Sequence, residues 1–238
     1  VNLTYRVDNF NFTNQTTINN VSSTNETVAF SEFSKMNPFY AKYDETTGDA
    51  PKYVYKDGDE YIWNPIWNMQ QNSFKKGDIT TITDNFQFEW RATRQLRLRG
   101  NLQYQLQKTT NENYTSPNET SQANLEVLKR GKYSNSNSTA SSYSGRLNAT
   151  YGTAIAVGGM QFSEKNNRSY SFGAEGYTSD TFWNPNFSQG YQDGKPSSTD
   201  SKTRNISYYA NANYSYNMRY LLDFNWTMSG ASQFGIDD

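Results

Sequence analysis

The stretch LRLRGNLQYQLQ, residues 96–107, decides the fold. Leu, Gly and Tyr occupy every even position, while Arg, Asn and Gln occupy every odd one. A strict period of two predicts a β-strand with one apolar face and one polar face. Its length exceeds the five to six residues that are usual for strands of soluble proteins. The stretch therefore predicts a long strand that has an apolar environment on one side and water on the other.

The same alternation recurs along the chain, and Asp84 interrupts it on the apolar side of the preceding strand. Short polar turns separate several of these stretches, which predicts antiparallel hairpins. The predicted strands lie near residues 1–12, 79–91, 95–108, 139–151, 154–163, 204–216 and 220–229. Long polar segments near residues 13–78, 108–139 and 164–204 are predicted to be loops. We place Arg168 to Tyr177 in the last of these loops, as one or two helical turns with Tyr170, Ala174 and Tyr177 on a common side.

The composition excludes several classes of protein. Only 34% of the residues are hydrophobic, yet 16% are aromatic, which fits neither a disordered chain nor an ordinary globular core. The chain has no His and no Cys, so His-based triads, zinc sites and thiolate chemistry are excluded. A formal net charge of -1 gives no reason to expect a nucleic-acid partner. We predict no enzymatic activity, no cofactor and no metal site.

Short turns at one end of the strands and long loops at the other are typical of outer-membrane barrels, with periplasmic turns and extracellular loops. The predicted fold class is all-β, a partial transmembrane antiparallel β-barrel of about seven strands. A soluble β-sandwich also shows alternation and remains an alternative. Its exposed faces are not normally lined with Leu, Phe and Trp, which favours the barrel.

Four segments carry a resemblance to a known family. They are SYYANANYSYNMRYLLDFNWTMSGASQFG (207–235), NPFYAKYDETTG (37–48), NPIWN (64–68) and FSEKNNRSYSFGAEGYTSD (162–180). Together, and in this order, they resemble segments of SusC/RagA-family TonB-linked outer-membrane proteins. The most specific match is the first, in which a Tyr-x-Tyr strand turns into Arg-Tyr-Leu-Leu.

The resemblance implies a section of a larger, 22-stranded barrel in the bacterial outer membrane. Members of the family import glycans or peptides with a SusD-like surface lipoprotein and are driven by TonB. Their plug and TonB box match no part of this sequence, so the chain is expected to be an interior section of the barrel. Its expected contacts are outer-membrane lipid, the lipoprotein, a glycan or peptide ligand and, through a plug segment not in this chain, TonB. The alternatives are a passive outer-membrane channel, an adhesin barrel and a soluble glycan-binding β-sandwich module.

Three sets of residues are candidates for a functional role. Aromatic rings in the loops are candidates for stacking on a ligand, although packing of the loops or contact with the lipoprotein is the favoured interpretation: Trp63, Trp67, Trp183 and Tyr191. Polar side chains of the predicted strands face the lumen, where the arginines contact a ligand, the plug or a carboxylate on a neighbouring strand: Arg97, Arg99, Gln103 and Gln105. Aromatic residues near the short turns are predicted to form the membrane girdle: Phe88, Trp90, Tyr214, Tyr220 and Trp226. The acidic run Asp57 to Glu60 lacks calcium-loop spacing and is interpreted as a solvated turn.

Overall fold

The computed structural model describes residues 1–58, 60–152, 156–216 and 219–232, with the backbone alone at Glu60, Asp193 and Tyr216. The strands are β1 (Asn2–Val7), β2 (Phe10–Asn25), β3 (Tyr53–Asp57), β4 (Glu60–Trp63), β5 (Phe74–Arg91), β6 (Leu96–Thr115), β7 (Lys132–Tyr151), β8 (Ala156–Glu175), β9 (Gly190–Tyr216) and β10 (Tyr220–Ala231). Two short α-helices, α1 (Phe30–Ser34) and α2 (Pro65–Met69), lie between β2 and β5. Single 3₁₀ turns lie at Thr120–Gln122, Val127–Lys129 and Pro185–Phe187.

One antiparallel sheet of eight strands contains most of the chain, in the order β1-β2-β5-β6-β7-β8-β9-β10. Strands β3 and β4 form a separate two-stranded sheet within the connection from β2 to β5. The predicted fold class, an all-β antiparallel partial barrel, is confirmed. No helix in the described ranges has the length and apolar character needed to cross a membrane.

The main sheet has eight strands, one more than the seven segments predicted. The segment near residues 1–12 is a hairpin of β1 and β2 that turns at Asp8 and Asn9, and β2 continues to Asn25 in what was predicted to be a loop. The connections are correspondingly shorter than expected, covering residues 26–73, 116–131 and 176–189. The strand ends were missed because both faces of the sheet are polar there, so alternation of apolar and polar residues disappears.

Arg168 to Tyr177 was wrongly predicted to be helical. It forms the end of β8 up to Glu175 and pairs residue by residue with β7, from Arg168 opposite Thr139 to Ala174 opposite Tyr133. Tyr170 and Ala174 do share a face, because a spacing of four residues is compatible with a strand as well as with a helix. The sequence pattern at these two positions therefore fits both structures equally.

The eight-stranded sheet has one apolar face, which remains open. Large hydrophobic side chains on this face are exposed: Leu3, Tyr5, Val7, Phe10, Trp90, Leu102, Tyr143, Leu147, Tyr151, Ile206, Tyr208, Tyr214, Leu222, Phe224, Trp226 and Met228. Within the part of the chain that the structure describes, no second sheet covers them. A β-sandwich would bury this face between two sheets. The face therefore requires an apolar environment from outside the chain.

The strands are staggered in one direction across the sheet. Phe10, the first residue of β2, belongs to a row of paired residues that reaches Gly158 in β8 and Ala210 in β9. Strand β9 continues six residues beyond Ala210 before its turn. Five steps between neighbouring strands, each about 4.8 Å wide, lead from β2 to β9. Over these steps the position of the turn shifts by about 20 Å along the strand direction. These distances correspond to a strand tilt of about 40°, which is the tilt of closed barrels.

Two glycines on the apolar face are covered by aromatic rings from the adjacent strand. Gly100 pairs with Phe88, and Gly145 pairs with Phe162. A Cβ atom at Gly100 would lie 2.0 Å from the Phe88 ring, and one at Gly145 would lie 2.3 Å from the Phe162 ring. Each ring occupies the space that a side chain would need and so keeps the apolar surface continuous.

We expect Gly100→Ala to destabilise the sheet by about 1 to 3 kcal/mol, because the Phe88 ring must leave its position. The matched control is Gly158→Ala on the same face, where no atom lies within 4 Å of the added Cβ. The midpoint of thermal unfolding of the intact protein in detergent measures the difference. Equal midpoints for the two variants would show that ring placement over Gly100 contributes nothing.

Candidate functional site at the polar face and the long connections

The polar face of the sheet carries all four residues predicted to face the lumen. Arg97, Arg99, Gln103 and Gln105 lie on β6, opposite the side that bears Leu98 and Leu102. Their neighbours in the adjacent strands are also polar: Asn85, Gln87, Glu89, Ser142, Ser144, Asn148 and Thr150. The face is therefore a continuous surface of amide, hydroxyl and charged groups.

A cluster of three arginines surrounds Glu89 near the short turns. Arg99 Nε lies 2.8 Å from Glu89 Oε2, and the Nε atoms of Arg91 and Arg97 lie 3.2 Å and 3.8 Å from Oε1. The structure thus gives both predicted arginines a carboxylate partner. One carboxylate does not balance three guanidinium groups, and all three arginine side chains are more than 40% exposed. This part of the polar face is suited to hold a carboxylate or an amide oxygen from another segment or from a ligand.

The connections at the opposite end of the strands are joined through buried amides. Asn68 of α2 donates from Nδ2 to Thr120 Oγ1 at 2.8 Å and accepts from Thr120 N at 3.0 Å. The indole Nε1 of Trp67 donates to the Asn118 carbonyl at 3.0 Å. Asn64 caps α2 by accepting from Ile66 N at 3.1 Å. These bonds hold α2 against the connection between β6 and β7.

The third connection is fixed to the first connection and to the end of β6. The backbone N of Asn72 and its side-chain Nδ2 both donate to the Asp180 carboxylate, the latter at 2.7 Å. The Tyr114 hydroxyl donates to the Ser179 carbonyl at 3.1 Å. Because all three connections share these bonds, they form one structured unit at the end of the sheet. We call this unit the connection cluster.

An aromatic core lies beneath the connection cluster. Tyr114, Tyr133, Ala174 and Tyr177 are buried, and Phe74 and Phe172 pack against them. Tyr114 and Tyr133 share a face with Leu102 and Tyr143, so this core continues the apolar face beyond its open part. Burial raises the pKa of the Tyr177 hydroxyl to about 12 and also raises the pKa of Tyr114 and of Tyr133. These tyrosines are therefore neutral at physiological pH.

The four aromatic residues predicted to bind a ligand have different surroundings. Trp63 packs against Tyr53 at 4.8 Å between ring centroids, and Trp67 is held by Asn118; both are partly buried. Trp183 stacks on Tyr133 at 6.2 Å and meets Phe74 edge-on at 5.3 Å, yet 41% of it is exposed. Tyr191 contacts Phe172 edge-on at 6.3 Å and is 57% exposed. The structure connects Trp183 and Tyr191 through the aromatic core and leaves Trp63 and Trp67 apart from them.

The predicted girdle residues all lie on the apolar face. Trp90, Tyr214, Tyr220 and Trp226 are exposed there, and Phe88 covers Gly100. Tyr214 and Tyr220 lie next to the turn between β9 and β10, of which residues 217 and 218 are outside the described ranges. Trp226 lies six residues into β10, farther from the turn than the others.

The aromatic core was missed in the sequence because Tyr114, Tyr133 and Phe172 were placed in loops. Long runs of Asn, Ser and Thr surround them, and no apolar alternation indicates a strand. The signal that could have found them is the isolated aromatic residue at the end of each polar run.

The acidic turn remains a prediction, since Asp59 and the Glu60 side chain lie outside the described residues. Among the residues described, no three carboxylates come together as a metal site.

Two hydroxyl deletions in the aromatic core should have different effects. Tyr114→Phe removes the bond to Ser179 and should cost about 1 kcal/mol, because the carbonyl is left without its partner. The Tyr177 hydroxyl is buried without a hydrogen-bond partner among the residues that the structure describes. Tyr177→Phe should therefore leave stability unchanged or raise it. Chemical unfolding followed by near-UV circular dichroism measures both, and equal losses would contradict this account of the core.

Comparison with known proteins shows likeness in structure only. No protein-family profile and no curated protein matches the sequence. A chain of the RagAB peptide importer in the 'open-open' state matches with a TM-score of 0.66 and 14% identity, over 100% of this chain and 27% of that one. A chain of the RagAB peptide transporter gives a TM-score of 0.67 and 13% identity, over 98% and 27%. The RagAB peptide importer in the 'closed-closed' state gives 0.65 and 14%, again over 98% and 27%. This chain thus has the fold of a section, about a quarter in length, of a chain in the RagAB peptide importer.

Proposed function

We propose that this chain is one section of the wall of a bacterial outer-membrane importer of the SusC/RagA type. The observation that carries the proposal is the open apolar face of a tilted antiparallel sheet whose other face is polar. A membrane barrel needs both faces, because lipid lies outside it and water fills it. The structural match over the whole length of the chain supports the same assignment.

The height of the apolar face fits a bilayer. On β6 the face extends from Leu96 to Leu106, where Lys108 is the next residue on the same side. Ten residue steps cover about 33 Å along the strand, and a tilt of about 40° reduces this to about 25 Å. That is the height of the apolar band of outer-membrane barrels. Strand β6 continues beyond this band for a further nine residues, to Thr115.

In this arrangement the short turns lie in the periplasm and the connection cluster lies outside the cell. The polar face lines the lumen, so Arg97, Arg99, Gln103 and Gln105 contact the ligand or a plug segment. Phe88, Trp90, Tyr214, Tyr220 and Trp226 face lipid as girdle residues. The rings of Trp183 and Tyr191, which are 41% and 57% exposed, are available to a ligand or a partner.

The proposed cargo is an oligosaccharide or a peptide, taken up together with a SusD-like surface lipoprotein and driven by TonB. Aromatic rings at the outer end and amides along the polar face suit both ligand classes, since both offer flat surfaces and hydrogen-bonding groups. The chemistry is transport, and the proposed mechanism includes no covalent step.

Deletion of the gene for the intact protein tests the proposal. We expect the protein in the outer-membrane fraction of wild-type cells, and we expect the deletion strain to lose growth on one oligosaccharide or peptide source. Removal of TonB should abolish the same uptake. Complementation with the wild-type gene is the control.

Each outcome has a defined meaning. Loss of uptake in both strains supports a TonB-driven importer. Uptake that depends on this protein but persists without TonB indicates a passive channel and contradicts the proposal. Recovery of the protein from the soluble fraction would contradict the membrane assignment itself.

A further inference from the structure

A groove crosses the apolar face between β8, β9 and β10. It lies at the end of the apolar band nearer the connection cluster, which we call the upper end. Phe162, Ile206 and Gly230 form its floor, and Glu164 and Arg204 line its upper rim. The groove has a volume of about 530 Å³. It exists because Gly230, which pairs with Ile206, has no side chain to fill it.

Cations are concentrated at the upper rim of this groove. Arg204 Nε lies 2.7 Å from Glu164 Oε2, and Lys202 Nζ lies 2.8 Å from Oε1 of the same carboxylate. The pair Arg168 and Asp200 lies next to them, with 3.3 Å between Nε and Oδ2. Among the residues that the structure describes, one carboxylate between two cations leaves one positive charge uncompensated, and Arg168 and Asp200 balance each other.

The exposure of these side chains shows which charge an incoming group meets first. Arg204 and Lys202 are 63% and 45% exposed, whereas Glu164 between them is 26% exposed. Glu164 also accepts from Asn166 Nδ2 at 3.2 Å, which helps to hold it in place. A group that approaches from outside therefore meets two oriented cations with the carboxylate behind them.

We propose that this groove binds an anionic outer-leaflet lipid, with an acyl chain on Phe162, Ile206 and Gly230 and a phosphate at Arg204 and Lys202. The proposal rests on the proposed function, because it requires the apolar face to lie in the outer membrane. Continuity with the apolar band supports the acyl chain. Charge complementarity at the level where lipid headgroups begin supports the phosphate.

A lipid explains the site better than free phosphate does. Free phosphate would bind the cationic side chains but leave the apolar floor of the groove exposed to water. A neutral lipid would use the floor and leave the uncompensated charge without a partner. Only a molecule with both parts fits both features of the groove.

The test uses the intact protein, purified from the outer membrane and freed of lipid in neutral detergent. Native mass spectrometry measures binding of diphosphorylated lipid A, with dephosphorylated lipid A and inorganic phosphate as comparison ligands. We expect Arg204→Gln and Lys202→Gln each to weaken binding of the diphosphorylated lipid about fivefold. Lys165→Gln is the matched control, since it removes the same charge from the opposite face of β8.

A second variant tests the apolar floor. Gly230→Leu should fill the groove without disturbing the sheet, because the nearest atom to an added Cβ is Ile206 Cγ2 at 3.8 Å. We expect it to weaken binding of both lipids and to leave the unfolding midpoint unchanged. Weaker binding in Arg204→Gln together with unchanged binding in Gly230→Leu would indicate an anion site without an acyl groove and would overturn the proposal.

The remaining outcomes separate the two proposals. If the protein is not recovered from the outer membrane, the proposed function fails and the lipid site fails with it. If the protein is recovered there but Arg204→Gln, Lys202→Gln and Gly230→Leu all bind lipid A as well as the wild type does, only the lipid site fails. An equal loss in Lys165→Gln would show that net charge alone governs binding, which also overturns the site.

Discussion

Backbone pairing is the constraint on which the rest of the structure depends. A strand that crosses lipid has no water to bond its N–H and C=O groups, so each group must pair with a neighbouring strand. Strands β6 and β7 pair over their entire shared length, from Leu96 opposite Tyr151 to Thr115 opposite Lys132. Once the backbone is satisfied in this way, side chains alternate between the two faces, and each face can adapt to a different solvent. The apolar face, the polar face and the tilt all follow from this pairing.

The sequence predicts the parts of the strands that lie between two unlike solvents. Leu96 to Leu106 alternates because, in the proposed arrangement, lipid and water select opposite residue types at successive positions. Beyond Lys108 the same strand has polar surroundings on both sides, so Thr109 to Asn113 carries no period that reveals it. The ends of β7, β8 and β9 were missed for the same reason. The predicted strand near residues 1–12 ended too early because Asn14, Thr16 and Asn20 interrupt the apolar face of β2.

Asp84 shows how pairing with a missed strand changes the meaning of a residue. In the sequence it only breaks the apolar register of β5. In the structure its carboxylate accepts from Asn14 Nδ2 and Thr16 Oγ1, each at 2.8 Å, so three polar residues on the apolar face satisfy one another. The same holds for the candidate site. The alternation in the sequence predicts which face of the sheet carries Arg97 and Arg99. Their shared partner Glu89 can be identified only from the register in which β5 and β6 pair. The contacts of Trp183 depend on the ends of β5 and β7, which bring Phe74 and Tyr133 to the same connection, and no local pattern reports such contacts.

The claim that the two faces meet lipid and water is tested most directly by solvent access along one strand. The chain has no cysteine, so single cysteines at residues 98 to 105 of β6 can be labelled one at a time with a spin label. In the intact protein in bilayers, even positions should be more accessible to oxygen and odd positions to a water-soluble nickel complex. Uniform access to the nickel complex at both sets of positions would contradict the account, because it would place water on the apolar face.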